Sequence, residues 1–208
     1  MLPPLKLHDP VTRIGSWLLD HTSRITINIT AALPRKSKVF NQWAKAWLHD
    51  CHNATIDKTA IGSDGSYKIK GQGVSAFVVQ QNNSTVFSQS LLVIAHSSYD
   101  VEMQASHMAI AYTKEHILGK VIVFIDNQST LKSLLNVKAH SLLKLSHLNS
   151  LEPNSWLLQS PDNEIEFRWI PSHLGLSINE LADQMADVTP IGPFLYPRLS
   201  IVSRLHYN

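Results

Sequence analysis

Residues 169–183 read Trp-Ile-Pro-Ser-His-Leu-Gly-Leu-Ser-Ile-Asn-Glu-Leu-Ala-Asp and link the end of a strand to the beginning of a helix. Upstream, residues 164–170 alternate apolar and polar side chains, which predicts a strand. Downstream, a helix is expected to begin near Asn179 and to end before Pro190. The stretch therefore places an acidic residue, Asp183, one turn into a helix that follows a strand and a loop.

Earlier segments predict four more strands and the helices between them. Period-two patterns separated by glycine and asparagine turns indicate an antiparallel meander of three strands, at Thr59–Asp64, Gly73–Gln80 and Val86–Val93. The almost continuous apolar run Lys120–Ile125 is typical of a strand buried on both faces. Helical patterns cover about Ser98–Leu118, Ser129–Asn136 and Ala139–Glu152. This order predicts one mixed sheet covered by helices.

The composition changes near Thr59, and we divide the chain into three parts there and near its end. Residues 1–58 are predicted to be a helical extension or linker, with helices at about 10–20 and 40–51 separated by a turn. Residues 59–189 form the predicted folded domain, and residues 190–208 a C-terminal tail. We expect the tryptophans of the extension to anchor its helices to a neighbouring surface.

The composition indicates the class of protein, but it says little about which molecules the protein binds. Of the 208 residues, 44% are hydrophobic and 16% are charged, which indicates a folded chain. The net charge of +2 is too small to indicate nucleic-acid binding by itself. Cys51 is the only cysteine, so no disulfide within the chain and no thiolate zinc cluster can form. Without a signal-like or membrane-spanning stretch, we expect an intracellular protein, cytoplasmic or nuclear, that is neither secreted nor bound to membranes.

Four acidic residues fall where the predicted elements would bring them together. Asp64 and Asp126 end two apolar strands, and the carboxyl ends of strands are where α/β sheets hold their ligands. Glu102 and Asp183 each lie one turn into a helix. Clustered carboxylates repel one another unless a cation neutralises them, and oxygen ligands suit Mg²⁺ or Mn²⁺. Each acid alone could equally be a turn residue or a helix-dipole partner, so the inference depends on the set.

The set of motifs resembles the ribonuclease H type 1 domain. The matching blocks are Ser63-Asp64-Gly65-Ser66, Glu102 with two alanines after it, Ile125-Asp126-Asn127-Gln128-Ser129, and the stretch 169–183. The resemblance covers about residues 59–188. It implies an α/β, ribonuclease H-like fold, whose five-stranded mixed sheet has an antiparallel meander of strands 1–3, parallel strands 4 and 5, and flanking helices. The implied activity is endonucleolytic hydrolysis of the RNA strand of RNA–DNA hybrids by two metal ions.

The same resemblance implies roles for individual residues. Asp64, Glu102, Asp126 and Asp183 would hold two Mg²⁺ ions, with Mn²⁺ as a substitute, and Asp64 would bridge them. His173 would shuttle a proton or release product. Contacts with the hybrid would come from Ser66, Asn127, Gln128 and Asn179. Gln128 matches the position that contacts the minor groove, where 2′-hydroxyls distinguish RNA from DNA.

The N-terminal segment is similar to the region that precedes ribonuclease H in polyproteins of fungal-type non-LTR retrotransposons. Leu2-Pro3-Pro4, His8-Asp9-Pro10 and the following helix carry this similarity. It implies a reverse transcriptase domain as a partner within a longer parent polyprotein.

Two positions depart from the family pattern, which usually has glycine where this chain has Ser172 and Ile178. If position 178 required a positive φ, isoleucine would be strained there by about 1–3 kcal/mol, and Asp183 would be displaced. These departures leave an alternative open, a catalytically degenerate fold that binds nucleic acid or a protein. Another nuclease or a strand transferase of the same fold is a third interpretation, which the Trp-Pro-His-Gly block disfavours.

Overall fold

The computed structural model describes residues 24–29, 37, 39–68, 71–135 and 156–190. Within these residues lie six strands, β1 Ile25–Asn28, β2 Thr59–Tyr67, β3 Gln72–Gln81, β4 Ser84–Ile94, β5 Lys120–Ile125 and β6 Glu164–Trp169. They also contain four helices, α1 Phe40–Ala54, α2 Ser98–His116, α3 Gln128–Leu135 and α4 Ser177–Val188. The predicted helices at about 10–20 and 139–152 lie outside the described residues.

All six strands form one mixed sheet in the order β1-β6-β5-β2-β3-β4. Strands β2, β3 and β4 are antiparallel neighbours, whereas β5 is parallel to both β2 and β6. The predicted meander and the parallel pair are therefore confirmed. Parallel pairing also aligns the carboxyl ends of β2, β5 and β6 at one edge of the sheet.

The predicted count of five strands was wrong, because β1 adds a sixth strand at the edge. It runs parallel to β6, with Ile25 opposite Ile165 and Asn28 opposite Arg168. Residues 25–29 do alternate apolar and polar side chains, which is typical of a strand, but our sequence-based assignment did not include them. The partner of β1 also lies far away in sequence, so no local pattern indicates the pairing.

Helices cover both faces of the sheet. On one face, α2 packs on apolar side chains of the central strands, including Ile61, Val123 and Phe167. On the other face, α1 and α4 contribute to a second cluster with Ala60, Ile122 and other residues. Helix α2 begins after Ser97, whose hydroxyl accepts a hydrogen bond from the Asp100 amide. Among the described residues, no helix is long and apolar enough to cross a membrane.

The segment before residue 59 contacts the sheet through buried polar groups as well as through α1. The Asn28 amide donates to a Glu166 carboxylate oxygen over 2.6 Å, and Lys58 Nζ lies 2.7 Å from the other oxygen. Arg168 pairs with Glu166 at 2.6 Å and with Asp50 at 2.7 Å. Our division of the chain at residue 58 stays a prediction, but β1 and α1 are joined to the sheet by these contacts.

Candidate active site

Two of the four acids are placed by adjacent parallel strands. In the register between β2 and β5, Ser63 lies opposite Ile125. The next residue of each segment is an aspartate, so Asp64 and Asp126 emerge side by side at the carboxyl edge. Asp64 is 7% exposed, and Asp126 is half-buried in the turn that leads into α3. The structure therefore places Asp64 and Asp126 next to each other, as their positions in the sequence predict.

The other two acids come from helices that approach β2 on opposite faces. A β-carbon at Gly65 would lie 2.7 Å from the amide nitrogen of Glu102, and one at Gly62 would lie 2.6 Å from the carbonyl oxygen of Ile178. Both distances are shorter than real β-carbon contacts, so only glycine permits these approaches. The two glycines that flank Ser63-Asp64 thus bring α2 and α4 against the strand.

The four carboxylates meet in one cluster. One oxygen from each of Asp64, Glu102 and Asp126 lies within 4.8 Å of the other two. Asp183 lies within hydrogen-bonding distance of Asp64. A second group, His173, Glu180 and Asp183, adjoins this cluster, and His173 Nδ1 is 3.6 Å from an Asp183 carboxylate oxygen.

Burial and mutual repulsion raise the pKa of three of these acids. The pKa of Glu102 rises to about 10, first through desolvation and then through the charges of Asp126 and Asp64. Desolvation and the charge of Asp126 raise the pKa of Asp64 to about 7, although the Gly65 amide donates to it at 2.7 Å. Desolvation also raises the pKa of Asp126. Glu102 Oε2 is buried and has no hydrogen-bond partner among the described residues.

These properties fit a divalent cation. Every donor in the cluster of four acids is a carboxylate oxygen, the ligand that Mg²⁺ and Mn²⁺ prefer. A cation would remove the repulsion that raises the three pKa values, and it would give Glu102 Oε2 a partner. The second group could also contribute to cation binding through Asp183, which belongs to both.

The remaining predicted site residues lie around the cluster at different depths. His173 is exposed and has a φ of 55°, a left-handed conformation that is uncommon outside glycine. Ser66 donates to Asp187 at 2.8 Å. Asn127 Oδ1 accepts hydrogen bonds from the first amides of α3, at 2.9 and 3.1 Å, which makes it a helix cap. Gln128 begins that helix and is half-buried.

Asn179 lies deeper than a surface contact with substrate would require. It is 3% exposed, and its Oδ1 has no partner among the described residues. Its contact with a hybrid therefore stays a prediction, and the structure does not bring it to the accessible edge beside Gln128.

Position 178 is not strained, contrary to the possibility raised by the family pattern. Ile178 lies inside α4, is 2% exposed, and packs in the cluster beneath that helix. The residues of this loop that have a positive φ are instead His173, with a φ of 55°, and Gly175, with a φ of 91°. The substitution of isoleucine for glycine thus adds a core side chain and leaves Asp183 in contact with Asp64.

Two contacts that support Asp126 were not predicted from the sequence. Trp169 Nε1 donates to the backbone carbonyl of Asp126 over 2.8 Å. Ser172 lies beside the Asp126 side chain and lowers the pKa of Asp126, against the larger effect of burial. The departure of Ser172 from the family pattern had marked the position, but only the fold shows what the side chain touches.

Comparison with known proteins agrees with this geometry. No match to the chain was found among curated proteins. Residues 57–189 match the sequence model of the family described as RNase H, and this range includes all four carboxylates and His173. Because the match covers more than half of the chain, this protein belongs to the RNase H family.

Proposed function

We propose that this protein is an endonuclease that hydrolyses the RNA strand of RNA–DNA hybrids and leaves 5′-phosphate and 3′-hydroxyl ends. The observation that supports this function is the convergence of Asp64, Glu102, Asp126 and Asp183 at one edge of an RNase H fold. Three of these acids have raised pKa values. Strongly shifted pKa values are common among the acidic and basic groups of functional sites.

In this proposal the carboxylates hold two divalent cations, Mg²⁺ or Mn²⁺. Asp64, Glu102 and Asp126 would ligate one, and Asp183 would ligate the second together with Asp64, which contacts both neighbours. When bound, such a pair activates the attacking water and stabilises the leaving 3′ oxygen. The assignment follows from the shared proximity of the first three oxygens and from the contact between Asp183 and Asp64.

Two polar side chains complete the proposed chemistry. His173 is exposed and contacts Asp183, so its imidazole can carry a proton between the site and solvent. Gln128 lies two residues after Asp126 at the beginning of α3, where a polar contact with a 2′-hydroxyl would distinguish the RNA strand.

Cleavage of a hybrid with a labelled RNA strand, in the presence of Mg²⁺ or Mn²⁺, tests the proposal. We expect cleavage by the wild type and its loss in Asp126→Asn. Asp162→Asn is a matched control, because Asp162 is exposed and precedes β6 at the opposite edge of the sheet. Equal activity of wild type and Asp126→Asn would contradict the proposal.

Two other outcomes would identify the alternatives. Binding of the hybrid without cleavage would indicate a catalytically silent fold that acts as a nucleic-acid binding module. Cleavage of duplex DNA in preference to the hybrid would instead indicate another nuclease or a strand transferase. Ser172, Ile178 and the tryptophan-bearing N-terminal extension motivated the silent alternative. The position of Ile178 inside α4 weakens one of these motives, so we favour the active enzyme.

We further propose that the chain derives from a retrotransposon polyprotein, in which a reverse transcriptase supplies the hybrid. The support is the similarity of residues 2–10 and the following segment, which lie outside the described residues. Such a nuclease would act inside the cell, in the cytoplasm or nucleus.

A further inference from the structure

The face of β2 that carries Asp64 also carries two polar side chains beyond it. Successive residues of a strand point to opposite faces, so Asp64, Ser66 and Lys68, which directly follows the strand, share one face. Gly62 belongs to the same face, and a β-carbon there would stand 2.6 Å from the carbonyl oxygen of Ile178 on α4. The row from Asp64 to Lys68 therefore faces α4.

Helix α4 carries a second aspartate that meets the far end of this row. Asp187 lies four residues after Asp183, so the two acids are on the same side of the helix. Asp187 Oδ1 accepts hydrogen bonds from Ser66 Oγ and Lys68 Nζ, each over 2.8 Å. The Lys68 amide donates to the carbonyl of Gln72 over 2.8 Å, which fixes the backbone that carries the lysine. An ammonium group is thus held on the strand that carries Asp64.

Lys68 lies close enough to the acidic cluster to contact a nucleic acid bound there. It follows Asp64 by four residues, which corresponds to about 13 Å along an extended strand. Phosphates of one nucleic-acid strand are spaced by about 3.4 Å along a duplex axis, so this distance spans about four nucleotides. The acids of the cluster repel phosphates when no cation is bound, so attraction of the backbone has to come from cations around the cluster.

The ion pair between Lys68 and Asp187 is suited to exchange its anion. The Asp187 side chain is 60% exposed, and that of Lys68 is 21% exposed. Exposed ion pairs contribute little to stability, so replacement of the carboxylate by a phosphate costs little. Phosphate oxygens accept strong, charge-assisted hydrogen bonds from an ammonium group. Asp187 would keep the hydrogen bond from Ser66 and its contact with water after Lys68 had turned to the phosphate.

We propose that Lys68 binds a backbone phosphate of the RNA–DNA hybrid within about four nucleotides of the cleaved bond. Asp187 is the counter-ion that Lys68 exchanges for this phosphate. The inference rests on the proposed function, because it names a further contact with the same substrate. Lys68 does not contact the reacting atoms in this role, so it contributes to the affinity for the hybrid and its dependence on salt.

Binding of a labelled RNA–DNA hybrid to the full-length Asp126→Asn protein, measured by fluorescence anisotropy in EDTA, tests the inference without cleavage. In this background, Lys68→Gln should weaken binding by about 3–10-fold at low salt, because one phosphate contact is lost. The slope of log affinity against log salt concentration should become less negative by about 0.9. Lys68→Arg retains the charge and should bind within about twofold of the parent protein. Asp187→Asn should bind about 2–5-fold more tightly, because it removes an exposed ion pair that competes with the phosphate.

Lys120 and Glu164 provide matched controls. Lys120 Nζ lies 3.2 Å from Glu164 Oε2, and the two residues begin β5 and β6 at the opposite edge of the sheet. Lys120→Gln and Glu164→Gln change the net charge by the same amounts as Lys68→Gln and Asp187→Asn. Each control should change the affinity by less than about twofold, because salt screens charges that lie far from the bound hybrid. Thermal melting of all variants checks that each one is folded.

The results separate this inference from the proposed nuclease activity. Equal losses of affinity in Lys68→Gln and Lys120→Gln would overturn it, because net charge alone would then explain binding. Weaker binding by Asp187→Asn would also overturn it, since Asp187 would then support binding instead of competing with the phosphate. If the expected differences appear but the wild type does not cleave the hybrid with Mg²⁺ or Mn²⁺, the proposed function fails and the phosphate contact stands. Cleavage by the wild type together with unchanged binding in Lys68→Gln would overturn the role of Lys68 and leave the nuclease activity intact.

Discussion

Gly62 on β2 lies directly against the backbone of Ile178 on α4. A β-carbon at position 62 would stand 2.6 Å from the Ile178 carbonyl oxygen and 2.9 Å from its carbonyl carbon. The obstacle is backbone, so a change of side-chain rotamer at position 178 cannot relieve it. This contact determines how closely α4, and with it Asp183, approaches Asp64.

Gly62→Ala should therefore push α4 away from β2. We expect a loss of about 1–3 kcal/mol in the free energy of unfolding, the usual cost of overpacking. We also expect a fall of about 100-fold in the rate of hybrid cleavage, because a displacement of about 1 Å at a catalytic group has that effect. Urea unfolding and single-turnover cleavage measure the two quantities. Thr26→Ala, at an exposed position on edge strand β1, is the control. An unchanged cleavage rate in Gly62→Ala would show that the approach of α4 does not control the site.

The raised pKa values predict that the protein without metal becomes less stable as the pH increases. Asp64 has a pKa of about 7 in the folded protein against an ordinary 3.8, and Glu102 has about 10 against 4.5. Because the folded state binds these protons more tightly, their stabilising effect is complete below about pH 4 and is lost as the pH rises through the folded values. Thermal midpoints in EDTA should therefore fall between about pH 5 and pH 9.

Divalent cations and a neutral side chain should both flatten this dependence. Mg²⁺ stabilises the ionised cluster, so the increase in thermal midpoint that it produces should be larger at pH 9 than at pH 5. In Glu102→Gln the midpoint should depend less on pH, because this variant lacks the group with the most raised pKa. A midpoint in EDTA that stays constant or increases from pH 5 to pH 9 would contradict the prediction.

Arg168 should contribute far more to stability than its exposed partner Asp50. The side chains of Arg168 and Glu166 are 8% and 10% exposed, whereas that of Asp50 is 59% exposed. Arg168→Ala leaves Glu166 with less compensation for its burial and removes the guanidinium that lies 5.5 Å from the centre of the Trp47 ring. We expect a loss of about 3–5 kcal/mol in the free energy of unfolding for Arg168→Ala. For Asp50→Ala we expect at most about 1 kcal/mol.

Urea unfolding of the two variants measures this contrast. Lys58 and Asn28 still contact Glu166 in Arg168→Ala, so the variant should remain folded at low temperature. Similar losses in the two variants would show that the network across β1, α1 and β6 does not depend on the buried charge of Arg168.

Much of the site could be predicted because its geometry follows from local patterns. An aspartate after an apolar strand lies at the edge of the sheet, and two parallel strands in register bring Asp64 and Asp126 together. The order of helices and strands then assigns Glu102 and Asp183 to the same edge. Selecting these four acids from the 16 acidic residues of the chain depended on the resemblance of their motifs to the ribonuclease H domain.

The features that could not be predicted depend on contacts between distant segments. Pairing of β1 with β6 joins residues far apart in sequence and follows from no local period. The backbone conformation of position 178 depends on where α4 begins, which is residue 177, two positions before the predicted start. The effect of Ser172 on the pKa of Asp126 depends on how the loop after β6 folds back towards the end of β5, and residue type alone does not indicate it.

His173 allows backbone strain and chemistry to be separated experimentally. Its φ of 55° disfavours a residue with a β-carbon, and its side chain contacts Asp183. His173→Gly should therefore fold with stability equal to or above that of wild type, because glycine accepts this φ readily. The same variant should cleave hybrid about 100-fold more slowly if His173 transfers a proton. His173→Asn tolerates the left-handed conformation but has no group that accepts and releases a proton, so its cleavage rate should be as low as that of His173→Gly. Thermal melting and cleavage measured on the same preparations test both effects. Cleavage at the wild-type rate by either variant would exclude a proton-transfer role for the imidazole. His173 would then contribute only to the conformation of the loop.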